Sequence, residues 1–477
     1  MTYQEALDYI AGLAPRGWRL GLDRMREFAH RAGLDDALGG TSTPLPPSSV
    51  SGRALATPAA TNRETEEWDS PQFIHVAGTN GKGSTTAYVQ SILHESGYRT
   101  GAFFSPYVYD PRERIQLGRE LIPEGIFAGL TAMLKPLAEE FTDTEYGGIS
   151  EFEFKTAMAF LFYKRLKCEW VALEVGLGGR LDATSIVTPR CGVIVSIGLD
   201  HTNILGDTIE QIAFEKAGII KPGIPTIVGQ LPETARLVIE KQAVEMGSEV
   251  WRYGQEIIVG QDAKDRSIVV TTPRGQHAGL TLGIRGAMQG HNMALAVAAC
   301  DAVGATRTLG GLQRGVAKAS IPGRFEIRKI AGKTIILDGA HNADAAQVLV
   351  ESLQTYLRYG ELPGSQVVAN PREKKGKVVM VTGMVAGHEP DAFYRWFEGI
   401  VDEAIAVPID FHRSLSPKEI EQSLCNYVST VWANDSAAEG IRAALKAVGE
   451  NDLILVTGSF YLVGEIGRYL VRHSDRD

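Results

Sequence analysis

The stretch "FIHVAGTNGKGSTTAYVQSILHESG", Phe73 to Gly97, runs from an apolar strand through a glycine-rich turn into a helical pattern. No other feature of the chain constrains its fold as much. A strand of this kind belongs in a sheet covered by helices, and the turn that follows lies at the sheet's carboxyl edge. The spacing is unusual. The generic phosphate-binding loop has four residues between its first glycine and its Gly-Lys pair. Here only Thr79 and Asn80 separate Gly78 from Gly81-Lys82, and Gly83 stands where Ser or Thr would follow. The turn still presents backbone N–H groups at a helix N-terminus to anionic oxygens. Lys82 adds a point charge, and Ser84-Thr85 follow. A purely structural turn is the competing reading.

Around this unit, "QFIHVAG", "WVALEVG", "CGVIVSIG" and "IPTIVG" are short, apolar throughout and separated by helical patterns. They predict a mostly parallel sheet buried on both faces. Residues 252–284 alternate more and predict antiparallel hairpins. A second α/β block starts near Lys333, with strands "KTIILDG", "KVVMVTGM", "DEAIAV" and "DLILVTGS". Pro322-Gly323 punctuates the chain between the blocks. The expected organisation is an ATP-binding domain over 1–320, a hinge over 321–326 and a smaller Rossmann-like domain over 327–477. The Ser/Thr/Pro/Gly-rich stretch 39–70 reads as a flexible insertion, and 364–377 as an exposed loop. The 477 residues suit two separate cores.

The net charge of −9 argues against a nucleic-acid partner, which needs a basic face. No apolar run approaches the roughly 20 residues that span a bilayer. The first residues predict an amphipathic helix with acidic residues and no signal-peptide block. Cys168, Cys191, Cys300 and Cys425 lack metal spacing and read as reduced, buried residues. The expectation is a soluble, cytoplasmic protein.

Three further segments bear on the turn. "FFSPYVYDPRERIQLG" carries a Ser-Pro followed by an Arg-bearing polar turn. "WVALEVGLGG" places Glu174 at the carboxyl end of a buried strand, where open α/β sheets bind ligands. A carboxylate there suits the Mg²⁺ that accompanies ATP phosphates, although a helix cap or ion pair would also use it. "GVIVSIGLDHTNILGDTIEQIAFEKAGIIK" ends another strand at Asp200-His201, and Lys216 follows in a helix expected from about Asp207. Each of these is unremarkable alone. Their common edge brings them into one argument.

The motifs "HVAGTNGKGST", "SPYVYDPRERI", "EFEFKTAMAF", "LEVGLGGRLDAT", "GLDHTNILGDTIEQIAFEKAGIIK", "PGRFE", "DGAHN" and "LVTGSFYLVGEI" occur in this order. Together they resemble the folylpolyglutamate synthase and dihydrofolate synthase family, ATP-dependent amide ligases related to the Mur ligases. The shortened loop is that family's own form. The resemblance implies a P-loop, Mur-ligase-like domain and a second α/β domain. It matches Gly78, Thr79, Asn80, Gly81, Lys82, Gly83, Ser84 and Thr85 to the ATP-phosphate loop. Asn292, Arg324, Asp338 and His341 correspond to further nucleotide contacts. Ser105 and Glu174 would hold one Mg²⁺. Glu174, His201 and Lys216 would serve a second, with Lys216 carbamylated by CO₂. Lys82, Glu174, His201 and Lys216 would carry the catalysis.

"WRLGLDRM", at the start of what could equally be an ordinary amphipathic helix, resembles a stretch near the family's pterin site. Arg24, Arg114 and Glu153 are the candidate substrate contacts. The small-molecule partners implied are pteroate or folate and L-glutamate, and the implied assembly is a monomer. Departures from the family pattern are Met288 in place of His, Ser185 in place of Asn, and "TGMVAGHEPD", which lacks an Asp-Lys pair. Asn342, closing "DGAHN", favours a bacterial bifunctional enzyme that adds glutamate to dihydropteroate and to reduced folates. Monofunctional members remain the alternative. A cell-wall Mur ligase would need an N-terminal domain for its nucleotide precursor. A nucleotide switch would hydrolyse ATP without incorporating glutamate.

Overall fold

The structure, a computed structural model, describes residues 1–14, 21–35, 38, 70–262, 267–360 and 376–474. The expected insertion at 39–70 and the exposed loop at 364–377 lie almost wholly outside the described residues. The first sheet has eight strands: β1 (Gln72–Ala77), β2 (Thr100–Phe103), β3 (Ile115–Leu117), β4 (Glu120–Leu121), β5 (Trp170–Glu174), β6 (Cys191–Ile194), β7 (Thr226–Val228) and β8 (Val250–Arg252). Their order is β4-β3-β2-β5-β1-β6-β7-β8. Strands β2, β5, β1, β6, β7 and β8 run parallel, and β3 and β4 form an antiparallel margin. The residues 252–284 expected as hairpins contain the antiparallel sheet β9 (Ile258–Gln261), β10 (Ile268–Thr272) and β11 (Gly275–Leu280).

The apolar strands are buried because helices cover both faces. Helix Lys82–Glu95 is buried from Gly83 to Leu93 and lies between the sheet and helices Gln289–Ala302 and Leu309–Lys318. Tyr88, Val89, Ile92 and Leu93 in it are fully shielded. Each such side chain stabilises the fold by roughly 1.5–3 kcal/mol relative to exposure. On the opposite face, helices Tyr3–Ala11, Asp23–Arg31, Glu124–Glu140 and Glu151–Arg165 complete a second apolar cluster.

The chain enters the other sheet at Glu326. Strands β12 (Glu326–Ile330), β13 (Lys333–Leu337), β14 (Val378–Thr382), β15 (Glu403–Ala406), β16 (Thr430–Ala433) and β17 (Leu453–Thr457) lie in the order β12-β13-β17-β14-β15-β16. All pairings are parallel except β12 with β13. This is the doubly covered α/β architecture expected of the second block. Two apolar clusters occupy its faces.

One local expectation needs correction. Cys425 is exposed, whereas the other three cysteines are buried; it follows the last turn of helix Pro417–Leu424. The helix expected from about Asp207 begins at Ile209, where Thr208 forms a reciprocal capping box with Gln211. No described helix is long and apolar enough to cross a membrane.

Candidate active site

Strand β1 pairs with β5 on one side and β6 on the other. The carboxyl ends of these three strands therefore lie side by side, at the point where strand order reverses. A cleft of about 540 Å³ opens there. Its walls include Gly78–Ser84, Ser105, Arg114, Glu174, Asp200, His201 and Lys216 from the first block. Asn292, Arg324, Asp338 and His341 complete it.

The glycine turn is held from behind. Thr79 N–H donates to the Ser196 carbonyl at 2.9 Å, and Asn80 N–H donates to Ser196 Oγ at 2.9 Å. Gly81 has φ +82°, and a Cβ there would stand 2.7 Å from Asn292 Oδ1. Only glycine meets both demands at low cost. Lys82 folds back, with Nζ donating to the carbonyls of Gly78 at 2.9 Å and Thr79 at 3.0 Å. An ammonium has three donors, so one remains for an anion in the cleft. Burial lowers the Lys82 pKa, against the attraction of Glu174 and Asp200. Thr85 is fully buried and does not form part of the cleft wall.

Glu174 closes β5 and is 3% exposed. Its Oε2 accepts from Ser105 N–H at 3.0 Å, while Ser105 Oγ accepts from Arg114 at 3.1 Å. Burial pushes the Glu174 carboxyl up to about 7, with Lys82 pulling the other way. Lys216 is also 3% exposed, and no hydrogen bond to a described residue holds its ammonium. Burial lowers it to about 7, with Lys82 contributing in the same direction. Buried acid and buried amine are thus both displaced toward neutrality. His201 is left-handed at φ 50°, its side chain 48% exposed beside Asp200.

The second block contributes from the opposite wall. Asn342 caps helix Ala343–Tyr359 by accepting from Ala345 N–H. Its Nδ2 donates to Asp200 at 3.1 Å and to Asn80 Oδ1 at 3.3 Å. One capping side chain therefore ties both blocks to the turn. Asp338 accepts from the N–H groups of Phe325 and Ala340 at 2.8 and 2.9 Å. Arg324 lies 3.9 Å over the Phe460 ring. His341 Nδ1 is 2.7 Å from the Gly339 carbonyl.

Two family models match the chain: "Mur ligase middle domain" over residues 128–300 and "Mur ligase, glutamate ligase domain" over 323–460. A dihydrofolate synthase/folylpolyglutamate synthase of Bacillus subtilis is 30% identical, covering 98% of this chain and 99% of that protein. The chain belongs to the dihydrofolate synthase/folylpolyglutamate synthase family. It is accordingly an ATP-dependent ligase that forms C–N bonds. The Escherichia coli enzyme of the same name is 32% identical over 83% of this chain and 86% of its own.

Among solved structures, Escherichia coli FolC in complex with DHPP and ADP superposes with a TM-score of 0.80 at 28% identity, covering 99% of this chain and 98% of that one. A bifunctional folylpolyglutamate synthase/dihydrofolate synthase of Yersinia pestis, complexed with AMPPNP and a Mn ion, gives 0.78 at 27% identity, with 99% and 98% covered. These relatives bring ATP and a divalent metal to the family.

Two candidate substrate contacts do not reach the cleft of this family member. Arg24 Nε donates to both oxygens of Glu153, at 2.8 and 3.0 Å, with both side chains buried. Glu153 also accepts from Ser150 N–H and Oγ, at 2.9 and 2.6 Å, as part of a capping box. The pair ties helix Asp23–Arg31 to helix Glu151–Arg165. Removing one partner leaves the other charge buried, so Arg24→Met should cost about 3–5 kcal/mol of stability. Thermal unfolding checks this; an unchanged melting temperature would show that the pair does not carry the stability assigned to it.

Asp200, Gln289, Asn342 and His388 also line or brace the cleft. Asp200 and Asn342 stand in motifs already singled out, "GLDH" and "DGAHN". Gln289, beside the departing Met288 in the segment that carries Asn292, places its Nε2 3.3 Å from Ser84 Oγ. His388, 5.0 Å from the His341 ring and 6.3 Å from that of His201, lies in the segment that departs from the family pattern.

Proposed function

We propose that this protein condenses L-glutamate with the carboxylate of dihydropteroate and with the γ-carboxylate of reduced folates, through an acyl phosphate. A carboxylate oxygen attacks the γ-phosphorus of ATP; that O–P bond forms as the bridging P–O bond breaks and ADP departs. The glutamate amine then attacks the acyl carbon. The C–N bond forms, the C–O bond to phosphate breaks, and inorganic phosphate and a proton leave. The single observation that carries this reading is the convergence of the glycine turn, Lys82, Glu174 and Lys216 on one cleft closed by Arg324, Asp338 and His341.

The chain's own groups have distinct tasks. Amides of Gly81–Ser84 and the spare Lys82 donor bind phosphate oxygens. Arg114, at the cleft wall and held by its hydrogen bond to Ser105 Oγ, orients the acceptor. The opposed walls exclude water that would hydrolyse the acyl phosphate.

The donor set fits a hard divalent cation. Glu174 is a buried carboxylate with one backbone donor. Among the described residues no three His, Cys, Asp or Glu side chains converge as a metal site; the further protein donors assigned in this reading are Ser105, His201 and a modified Lys216. Lys216 meets the chemical requirement, because an amine of pKa about 7 is substantially neutral at physiological pH. Its nitrogen can then add CO₂, releasing a proton and becoming an anion. One divalent cation would be held by Ser105 and Glu174 and a second by Glu174, His201 and carbamylated Lys216; bound there, they would neutralise phosphate charge.

The test is incubation with Mg-ATP, labelled glutamate and either dihydropteroate or tetrahydrofolate. Label should enter both acceptors. Label in one product alone makes the enzyme monofunctional; ATP hydrolysis without incorporation would reject the ligase reading for these substrates.

A further inference from the structure

The loop 105–114 joins the active site to the core of the other domain. Val108 is 6% exposed and belongs to an apolar cluster whose remaining members all lie at or beyond Ile330. Tyr109 packs against the same cluster. Its hydroxyl donates to Glu326 at 2.7 Å, and Arg328 lies 4.8 Å over its ring. Arg468 donates to the carbonyls of Val108 and Tyr109, both at 3.3 Å. Helix Phe460–Ser474 accommodates the loop only because two positions lack side chains. A Cβ at Gly464 would stand 2.0 Å from the Val108 carbonyl oxygen, and one at Gly467 would stand 2.2 Å from the Tyr109 ring.

The loop is stiff between its ends. Glu113 accepts from the N–H groups of Val108, Tyr109 and Asp110 at 2.7, 3.0 and 3.0 Å. Asp110 caps the following turn and pairs with Arg112 at 2.6 Å. At the other extremity, Ser105 N–H meets Glu174, and Arg114 meets Ser105 Oγ. A stiff segment fixed at both ends transmits displacement instead of absorbing it.

We propose that Val108 and Tyr109, seated in the Gly464/Gly467 notch, are positioning residues that couple the placement of the second domain to the geometry of Ser105, Glu174 and Arg114. Domain closure then assembles the acceptor side of the cleft, and an open arrangement leaves it misaligned. The kinetic consequence rests on the ligase reading; the mechanical one does not. A misplacement of about 1 Å at reacting groups can cost roughly 10²-fold in rate.

Gly467→Ala and Gly464→Ala are suitable probes, since the atoms that crowd the added methyl belong chiefly to the first-domain loop and alanine favours a helix interior. Tyr109→Phe is the milder companion. In the full-length protein, hydrogen exchange of the segment 104–114 should rise at least about tenfold in Gly467→Ala, while β13, β14 and β17 keep their protection. In turnover, kcat should fall at least about tenfold in Gly467→Ala and less in Tyr109→Phe, with KM for ATP little changed. Unchanged exchange in 104–114, or exchange rising equally through the second-domain strands, would overturn the coupling. Wild-type kcat in both variants would overturn it too. Absence of product from the wild type sinks the ligase reading instead and leaves the exchange measurement decisive for the loop.

Discussion

Lys216→Ala should lower kcat by roughly 10²–10³-fold, the scale lost when one preorganised group facing transition-state charge is removed. The side chain is buried at the cleft without a hydrogen-bond acceptor among the described residues, and burial holds it near 7. An ammonium there would repel a divalent cation; a carbamate would bind one. Small carboxylates such as formate or acetate should therefore restore part of the activity of the alanine variant, because they return the anion without the tether. Lys216→Arg should not be rescued, since a guanidinium stays charged and is strongly disfavoured in such a site. Labelled bicarbonate gives an independent readout, with a carbamate resonance expected in the wild type and absent from the alanine variant. Wild-type turnover in Lys216→Ala would reject the carbamate role.

Glu174→Gln should produce a loss of similar size, roughly 10²–10³-fold in kcat, with a raised requirement for Mg²⁺. The amide oxygen can still accept from Ser105 N–H, so the local fold survives while the charge is lost. The pH dependence separates the two effects. Burial raises the Glu174 carboxyl to about 7, Lys82 opposing. Below that pH a proton competes with the metal for the carboxylate, and at subsaturating Mg²⁺ activity should fall as the pH drops. Excess Mg²⁺ should restore it by moving the acid limb to lower pH. In Glu174→Gln the group no longer titrates, so this magnesium-sensitive limb should vanish. A limb that persists unchanged in the variant assigns it to another residue.

Much of this site is legible in the sequence. The apolar runs ending at Ala77, Glu174 and Ile194 are the strands β1, β5 and β6, and residues just after buried strands belong to a sheet's carboxyl edge. Alternation within 252–284 likewise announced antiparallel hairpins, found as β9, β10 and β11. Strands β2, β3, β4, β8, β12 and β16 were not read from the sequence, because each is short and lacks the unbroken run of β-branched and apolar residues that marked β1, β5, β6 and β7. The pairing of Arg24 with Glu153 escaped the sequence for a related reason. Both occur in motifs that resemble family signatures, and a buried Arg–Glu pair reads in sequence as two polar residues awaiting a ligand.

By itself the sequence established the chemistry available and the edge of the sheet at which it would gather, because strand burial and turn geometry are local properties of residues close in the chain. Tertiary structure alone decided which charges neutralise one another, which glycines exist to admit a neighbour remote in the chain, as Gly464 admits Val108, and how the Val108–Tyr109 loop grips the second domain. Those outcomes depend on the packing of segments remote in the chain, and neither composition nor spacing encodes the distance between them.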